Sequence, residues 1–304
     1  MKTIKLSALL IILLELSALA DNSGASFLKI SPGARPVGIG GAFTAVNNDI
    51  NCLYYNPAGL GSLNKTAIGA MHTRWVSDIK YNYAAGAFKF KGGIAGIAAT
   101  YLSMGELEGR DDNRQETGDF SAYDFSLQAS YAKKLKNNYY AGGSLKLIRQ
   151  QIEEETASGV AIDAGYLKEL SENVNIGVAL RNIGPKMTFL STGYNLPLTA
   201  SAGLGFSKWN LMAITDINYE IIDEKLKLSV GLEYTIFKLM AFRIGYFRDV
   251  IRNDFGSEDS NLFKQKNGLS GGIGISVLNY SVDYAMVPYA ELGNTHRISL
   301  GAKF

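Results

Sequence analysis

The chain has 304 residues, of which 47% are hydrophobic and only 19% are charged, and its formal net charge is +2. This composition excludes an intrinsically disordered chain, and the small net charge excludes a strongly basic protein that grips nucleic acid. The single cysteine, Cys52, excludes an intramolecular disulfide and a zinc site built from cysteines.

Residues 1–20 have the pattern of a secretory signal peptide, with two lysines near the start followed by the apolar run LSALLIILLELSALA. Ala18 and Ala20 supply an A-x-A cleavage site, which predicts a mature chain that starts at Asp21 outside the cytoplasm. An N-terminal membrane anchor is the alternative, but Glu15 interrupts the run, which is also short for a membrane span.

The next segment, residues 21–65, contains the Gly- and Asn-rich stretch PVGIGGAFTAVNNDINCLYYNPAGL, which is almost free of charge. It is a poor nucleotide site because it lacks the G-K-[ST] ending of a P-loop. Gly38, Gly40 and Gly41 also fail to complete the G-x-G-x-x-G pattern. Small residues with little charge instead predict a compact plug that is packed inside a larger structure.

Within this segment, the letters GGAFTAV predict one short helix that ends at Asn47–Asp49. Asn56 and Pro57 predict a turn, because asparagine and proline both favour turn conformations. Gly59 and Gly61 allow close packing or a positive φ angle. Cys52 is predicted to be a small packed residue of the plug.

Residues 66–304 show alternation of apolar and polar residues rather than helical periodicity, and 33 glycines, 17 tyrosines and 14 phenylalanines favour short strands and turns. In YDFSLQASY, the aromatic and aliphatic residues alternate with Asp, Ser and Gln. The same test predicts fourteen strands, most of them of the length that crosses a bilayer when tilted. They lie near 66–75, 79–90, 93–103, 122–133, 139–150, 158–168, 174–183, 198–207, 209–220, 226–236, 238–248, 268–277, 279–287 and 295–304.

The connections between these strands are alternately long or polar and short. Outer-membrane barrels have this asymmetry, because their periplasmic turns are short and their extracellular loops are long. The sequence therefore predicts an all-β fold: a 14-stranded antiparallel transmembrane β-barrel with a small N-terminal hatch or plug. The expected location is the outer membrane of a Gram-negative-type bacterium, where outer-membrane lipid surrounds the barrel.

The polar face of each strand is expected to line the lumen. The predicted lumen residues are of both signs, so internal ion pairs are favoured over a selectivity filter. They are Asp124, Asp163, Arg181, Asp216, Glu220, Glu233, Arg243, Asp283 and Arg297. A second set of aromatic residues is predicted to form girdles at the two membrane interfaces, with some of them allowed as lumen residues. They are Tyr81, Tyr83, Tyr139, Tyr166, Trp209, Tyr219, Tyr234 and Tyr246.

Four stretches carry a resemblance to a known family: FLKISPGARPVGIGGAFTAVNNDINCLYYNPAGL, YLSMGELEGRDDN, TGDFSAYDFSLQASYAKKL and ELGNTHRISLGAKF. They resemble the PorV/PorQ family, which is similar to FadL-type outer-membrane transporters of hydrophobic compounds. The resemblance implies fourteen strands and an N-terminal hatch. It also implies that Asn56, Pro57 and Ala58, followed by Gly59, form the hatch motif. The final Phe304 resembles the C-terminal signal that barrel-insertion machinery reads.

Two functions remain open at this point. A FadL-like channel would take up a hydrophobic or amphipathic small molecule, with apolar loop residues such as Met187–Leu190 in contact with it. A PorV-like carrier would instead hold a secreted-protein partner of type IX secretion through the long loops 104–121 and 249–267.

An enzyme is not expected, because no H-E-x-x-H or G-x-S-x-G motif occurs and His72 and His296 are the only histidines. No catalytic residue, metal ligand or cofactor is predicted. The acidic residues between Glu106 and Asp119 could bind Ca²⁺, but a solvated loop is favoured because their spacing matches no EF-hand.

Overall fold

The computed structural model describes residues 23–75, 79–110, 116–251, 267–288 and 294–304. The predicted signal peptide, residues 1–20, lies outside these ranges. No helix within the described ranges is both long enough and apolar enough to cross a membrane.

Fourteen strands form one closed barrel in which every neighbouring pair is antiparallel, as the alternation predicts. In chain order the strands of the structure are β1 (Ala67–Arg74), β2 (Lys80–Phe90), β3 (Gly93–Arg110), β4 (Glu116–Lys134), β5 (Tyr139–Ile152), β6 (Glu155–Glu169), β7 (Val174–Ile183), β8 (Met187–Phe189), β9 (Thr192–Tyr194), β10 (Thr199–Lys208), β11 (Leu211–Glu220), β12 (Lys225–Ile236), β13 (Met240–Ile251), β14 (Asn267–Val277), β15 (Tyr280–Pro288) and β16 (Asn294–Lys303). β8 and β9 form a separate hairpin, so β7 pairs directly with β10. The predicted fold class is confirmed.

The barrel closes where β1 pairs with β16 over its whole length, from Ala67 opposite Lys303 to Arg74 opposite His296. Closure leaves no edge strand, and it pairs the backbone N–H and C=O groups that lipid cannot satisfy. Along β4, Asp124, Ser126 and Gln128 are buried inside, while the apolar residues between them face outward. The outer surface is accordingly a belt of exposed large hydrophobic residues.

The two ends of the barrel differ in their connections. At the short-turn end, the strands are joined by residues 91–92, 135–138, 170–173, 209–210, 237–239 and 278–279. β1 begins and β16 ends there. The opposite end, the long-connection end, carries residues 184–198 with the β8–β9 hairpin.

The predicted loop 104–121 is wrong over most of its length. β3 and β4 continue pairing from Glu106 opposite Ser121 to Arg110 opposite Glu116, with a register shift after Ser103. β5 and β6 likewise continue through most of QIEEETA and turn at residues 153–154. Alternation cannot reveal these extensions, because beyond the bilayer both faces of a strand contact water and neither must be apolar. Of the predicted loop 249–267, the first residues belong to β13, and residues 252–266 lie outside the described ranges.

Most of residues 23–65 of the predicted hatch are buried within the barrel, as short helical turns joined by further turns and irregular segments. These are a 3₁₀ turn at Ser26–Lys29, α1 (Ala34–Gly38), α2 (Cys52–Tyr55) and a 3₁₀ helix at Pro57–Ser62. The helix predicted over GGAFTAV is wrong. Gly40 and Gly41 have φ angles of 71° and 77°, which a right-handed helix cannot contain.

The hatch supplies the centre of the hydrophobic core. Ile39, Phe43, Leu53 and Leu60 are fully buried, as is Cys52, whose Sγ lies 3.3 Å from the Val46 carbonyl oxygen. They pack with inward-facing residues of the barrel in one cluster. The lumen is therefore filled by the hatch.

Candidate functional site

The hatch backbone approaches the barrel wall closely wherever an inward-facing glycine lies opposite it. A Cβ atom built on these glycines would meet hatch atoms; they are Gly142, Gly165, Gly177, Gly203, Gly231 and Gly245. At Gly245 the added carbon would overlap the Gly40 nitrogen and the Ile39 carbonyl carbon. At Gly231 it would overlap Ile39 again. These wall glycines set how tightly the hatch can seat.

Asp216 on β11 holds the centre of the hatch. Its Oδ2 accepts hydrogen bonds from the backbone N–H groups of Phe43 and Thr44, at 2.7 and 2.8 Å. Phe43 and Thr44 follow Gly41 and lie outside any helix, so no carbonyl oxygen of a helix accepts from these N–H groups. A buried carboxylate thus accepts from two buried N–H groups, which would destabilise the fold if they were left without a hydrogen-bond partner.

The predicted hatch motif shapes the hatch and attaches it to β6. Asn56 Oδ1 accepts a hydrogen bond from the Ala58 N–H at 3.1 Å and so caps the 3₁₀ helix that begins at Pro57. Its Nδ2 donates to the carbonyl oxygens of Thr44 (2.8 Å) and Tyr166 (3.2 Å). A Cβ atom on Gly59 would meet the Val46 carbonyl oxygen at 2.6 Å, so the motif needs glycine there.

A chain of five charged groups connects the hatch to the wall. Arg35 donates to Asp49 within the hatch at 2.6 Å, and it binds both carboxylate oxygens of Glu233 on β12 at 2.7 and 2.8 Å. Glu233 also accepts from Arg243 Nε at 2.6 Å, and Arg243 donates to Asp283 at 2.7 Å. We call Asp49, Arg35, Glu233, Arg243 and Asp283 the ion-pair chain.

The electrostatics of Asp49 follow from its position in this chain. Burial opposes its ionisation, but the charges of Arg35 and Lys303 and hydrogen bonds from Asn51 and Arg35 outweigh burial and lower the pKa of Asp49. The carboxylate therefore stays ionised and keeps Arg35 paired within the hatch as well as to the wall.

The ion-pair chain borders a cavity of about 330 Å³ at the short-turn end. Lys65, Lys238 and Lys303 also line this cavity, together with Tyr83. The cavity is open to the short-turn end and stops at the hatch, so the ion-pair chain lies between the cavity and the rest of the lumen.

At the long-connection end, the first described residues of the hatch are also attached. Asp223 accepts hydrogen bonds from the Ser23 backbone N–H (2.8 Å) and hydroxyl (2.6 Å), and Lys29 Nζ lies 3.2 Å from it. Met187 and Leu196, from the connection that carries β8 and β9, are buried against the hatch core. Leu190, the last residue of the predicted apolar patch, is instead 68% exposed.

The other predicted lumen residues also face inward. Asp163 pairs with Lys146 at 2.7 Å and accepts from the Asn182 N–H at 2.8 Å. Arg181 lies over the Tyr54 ring, 5.1 Å from its centroid, and Arg297 donates to the Ser31 carbonyl oxygen. Asp124 accepts from Gln150 at 2.8 Å, and Glu220 lies 3.8 Å from Lys29.

The inner wall is chemically divided. The strands β1, β2 and β3 present mainly small, aliphatic or aromatic side chains to the lumen, and we call this surface the apolar wall. Its buried apolar members are Ala67, Met71, Tyr81, Tyr83, Ala85, Ala87, Ile94, Ala98 and Leu102, and the buried Thr73 lies among them with its hydroxyl donating to the His296 carbonyl oxygen. The strands β11 to β16 instead carry Asp216, Glu233, Arg243, Asp283 and Arg297.

Comparison with known proteins identifies the family. The family described as "Type IX secretion system protein PorV" matches residues 19–240. The chain belongs to the PorV family. No curated protein matches it by sequence.

Solved structures similar to this PorV-family chain include proteins named as channels or transporters of hydrocarbons. The CymD monoaromatic hydrocarbon channel has a TM-score of 0.67 at 13% identity, covering 90% of this chain and 97% of that one. The Pseudomonas putida toluene transporter TodX has a TM-score of 0.65 at 11% identity, covering 90% and 96%. A Pseudomonas aeruginosa FadL homologue has a TM-score of 0.60 at 11% identity, covering 90% of this chain and 98% of that one.

These likenesses confirm the fold and the predicted resemblance to the PorV/PorQ and FadL-type barrels. They place the PorV-family chain among outer-membrane β-barrels, and the proteins it resembles are named as channels, transporters and a secretion component rather than as enzymes. Among the described residues, no group of three or more His, Cys, Asp or Glu residues is arranged to hold a metal ion.

Two residues of the predicted aromatic girdles take the alternative position in the lumen of this PorV-family barrel. Tyr81 and Tyr83 are buried inside the lumen, where Tyr81 donates to the Ile30 carbonyl oxygen at 2.8 Å. They belong to the apolar wall because their strand positions face the hatch. The other six residues face outward: Tyr139, Tyr166, Trp209, Tyr219, Tyr234 and Tyr246.

Sequence reasoning did not identify Arg35 and Asp49, the two hatch residues of the ion-pair chain. Asp49 is the only charged residue between Pro36 and Leu60, and Arg35 immediately precedes that stretch. A lone charge in a segment predicted to be buried requires a partner, so this signal was available. The inward-facing Lys146 was also missed, although the alternation along β5 places it on the lumen side.

Proposed function

We propose that this PorV-family barrel is an outer-membrane channel of a Gram-negative-type bacterium for hydrophobic or amphipathic small molecules. The observation that carries the proposal is the apolar wall. Barrels that pass water-soluble solutes have polar interiors, whereas β1, β2 and β3 offer an incoming hydrophobic molecule a mainly apolar surface. The fold shared with hydrocarbon channels supports the same function.

The route follows from the orientation of outer-membrane barrels, whose short turns face the periplasm and whose longer connections face the cell exterior. A hydrophobic molecule would enter at the long-connection end beside Met187 and Leu196, which already pack in an apolar cluster. It would then move between the apolar wall and the hatch. The charged attachments of the hatch to Asp216 and Glu233 lie on β11 and β12, across the lumen from β2, so a molecule that moves along the apolar wall leaves them in place.

A paired substitution at Leu102 tests this route. Leu102→Gln places an amide in the apolar wall, opposite Asp124 on β4, and removes an apolar contact that is worth about 1.5–3 kcal/mol when a leucine side chain is buried. We expect uptake of toluene or a long-chain fatty acid by cells to fall about tenfold. Leu102→Met conserves volume and apolarity, and should retain uptake.

Both Leu102 variants should show the heat-modifiable gel mobility of a folded barrel. Equal uptake by the glutamine and methionine variants, with both proteins folded, would contradict the proposed route along the apolar wall.

A second candidate is a carrier of secreted proteins in type IX secretion, which the family description favours. The extended β3–β4 hairpin supports it, because its backbone pairs continue well beyond Ser103. Such a hairpin projects above the membrane and gives a partner protein a defined surface.

Shortening the hairpin separates the two functions. Joining Glu106 to Ser121, which are directly paired, through an Asn-Gly turn keeps the register of the remaining strands. A carrier should lose delivery of secreted proteins to the culture medium while keeping uptake of hydrophobic probes. Undiminished secretion by the shortened, folded protein would argue against the carrier.

A further inference from the structure

Both histidines of the chain lie on the outer wall of the barrel, where apolar residues are the rule. His72 on β1 is exposed, and its Nδ1 lies 2.8 Å from Asn82 Oδ1 on β2. His296 on β16 is exposed, and its Nδ1 lies 2.6 Å from the Tyr284 hydroxyl. Polar groups on a lipid-facing surface are costly unless polar partners reach them, so this position requires a physical reason.

Two basic residues lie beside the histidines. Arg74 is directly opposite both His296 on β16 and Lys80 on β2, and directly opposed residues of antiparallel strands are close neighbours. Arg74 and Lys80 are both exposed. Arg74 also interacts within the chain, and a guanidinium with five N–H donors can serve more than one acceptor. We call Arg74, Lys80, His72 and His296 the outer cationic cluster.

The outer cationic cluster lies at the level of the lipid headgroups. Arg74 ends β1 at the long-connection end, and β1 is eight residues long, close to the minimum that spans a bilayer. Tyr101 on β3 and Tyr123 on β4 lie near this level, with their rings tilted and the ring centroids 5.7 Å apart. Tyrosines on the outer wall of a barrel mark the membrane interface.

Below this cluster, toward the middle of the membrane, the outer wall has an apolar groove of about 410 Å³. Its floor is made of the small residues Ala70, Ala84 and Ala99, and Ile298 and Leu300 form one side. His72 and Asn82 line its upper part. The groove is therefore continuous with the outer cationic cluster.

We propose that this face binds a phosphorylated lipid of the outer leaflet, with its phosphate on the outer cationic cluster and an acyl chain in the alanine-floored groove. Charge complementarity selects an anionic headgroup, since the exposed charged residues Arg74 and Lys80 are both basic. The groove selects a lipid over free phosphate, which would leave the apolar part unoccupied. Arginine forms paired hydrogen bonds with phosphate oxygens, and the imidazole and amide groups add further polar contacts.

Native mass spectrometry of the purified, detergent-solubilised protein tests the proposal with diphosphorylated lipid A as the probe. Wild-type protein should retain the lipid, and dephosphorylated lipid A should bind much more weakly. The double substitution Arg74→Gln and Lys80→Gln should weaken retention about tenfold or more, because each basic residue near a membrane surface contributes to anionic lipid binding. Ala84→Leu should weaken it by filling the groove.

The control removes two outward basic residues from the opposite end of the barrel, Lys133→Gln with Lys208→Gln, and should leave lipid retention unchanged. Equal retention by wild type and by the Arg74 and Lys80 variant would overturn the proposal, as would equal binding of the dephosphorylated lipid. A protein dimer that disappears in that variant would also overturn it, by assigning the face to a second copy of the chain.

Discussion

Replacing Gly245 with valine is expected to unseat the hatch and open the lumen to ions. The wall glycine at this position touches the Gly40 and Ile39 backbone, and no rotamer of a larger residue avoids the overlap because the Cβ atom itself collides. Overpacking of this kind costs about 1–3 kcal/mol. An energy of that size shifts a two-state equilibrium by roughly 5- to 150-fold.

Single-channel recording in planar bilayers measures the effect, because a seated hatch fills the lumen. We expect the valine variant to show longer and more frequent high-conductance openings than the wild type. The matched control is Gly271→Val on the neighbouring strand β14. Gly271 faces outward, and a Cβ atom there has no neighbour closer than 3.9 Å. An unchanged conductance in Gly245→Val would contradict the tight seating of the hatch.

Arg35→Met should destabilise the hatch strongly, because Arg35 is the hatch residue that joins the ion-pair chain to the wall. The substitution leaves Asp49 and one side of Glu233 as buried carboxylates without their main cation. Removing one partner of a buried ion pair costs about 3–5 kcal/mol. The free energy of unfolding is measured by denaturant titration, with heat-modifiable gel mobility as the signal of the folded barrel. Conductance in planar bilayers shows whether the hatch still blocks the lumen.

Three further variants make the Arg35 experiment specific. Lys65→Met removes an exposed cation from the same segment, and should change stability by no more than about 0.5 kcal/mol. Arg35→Lys should be intermediate, since an ammonium cannot reproduce the paired contacts of a guanidinium. Adding Asp49→Asn to Arg35→Met should recover part of the loss. No loss in Arg35→Met would show that the ion-pair chain does not hold the hatch.

The strands could be predicted because the membrane imposes a strict rule on them. Within the bilayer, one face must be apolar and the other faces a filled lumen, so alternation is visible at Tyr123 to Tyr131 and throughout β12. The rule ends at the membrane surface. This is why the β3–β4 hairpin was predicted as a loop although Glu106 pairs with Ser121.

The sequence predicts where the hatch lies, but it does not predict the conformation of the hatch backbone. Most residues of GGAFTAV are compatible with a helix. In the structure, however, Asp216 accepts hydrogen bonds from the N–H groups of Phe43 and Thr44, and the Gly40 backbone packs against a glycine of the barrel wall. Tertiary contacts of this kind override local preference. The lumen charges were located by alternation, but their partners depended on a hatch whose path no local pattern reveals.

The closure of β1 on β16 has a consequence for how the chain folds. The seam joins the first strand of the barrel to the last, so it forms only when nearly the whole chain has arrived, and loops of such length are slow to close. In the folded barrel the hatch contacts β5, β6, β11, β12 and β13. Because it bridges strands that are far apart in the sheet, we expect a chain without the hatch to close its barrel more slowly.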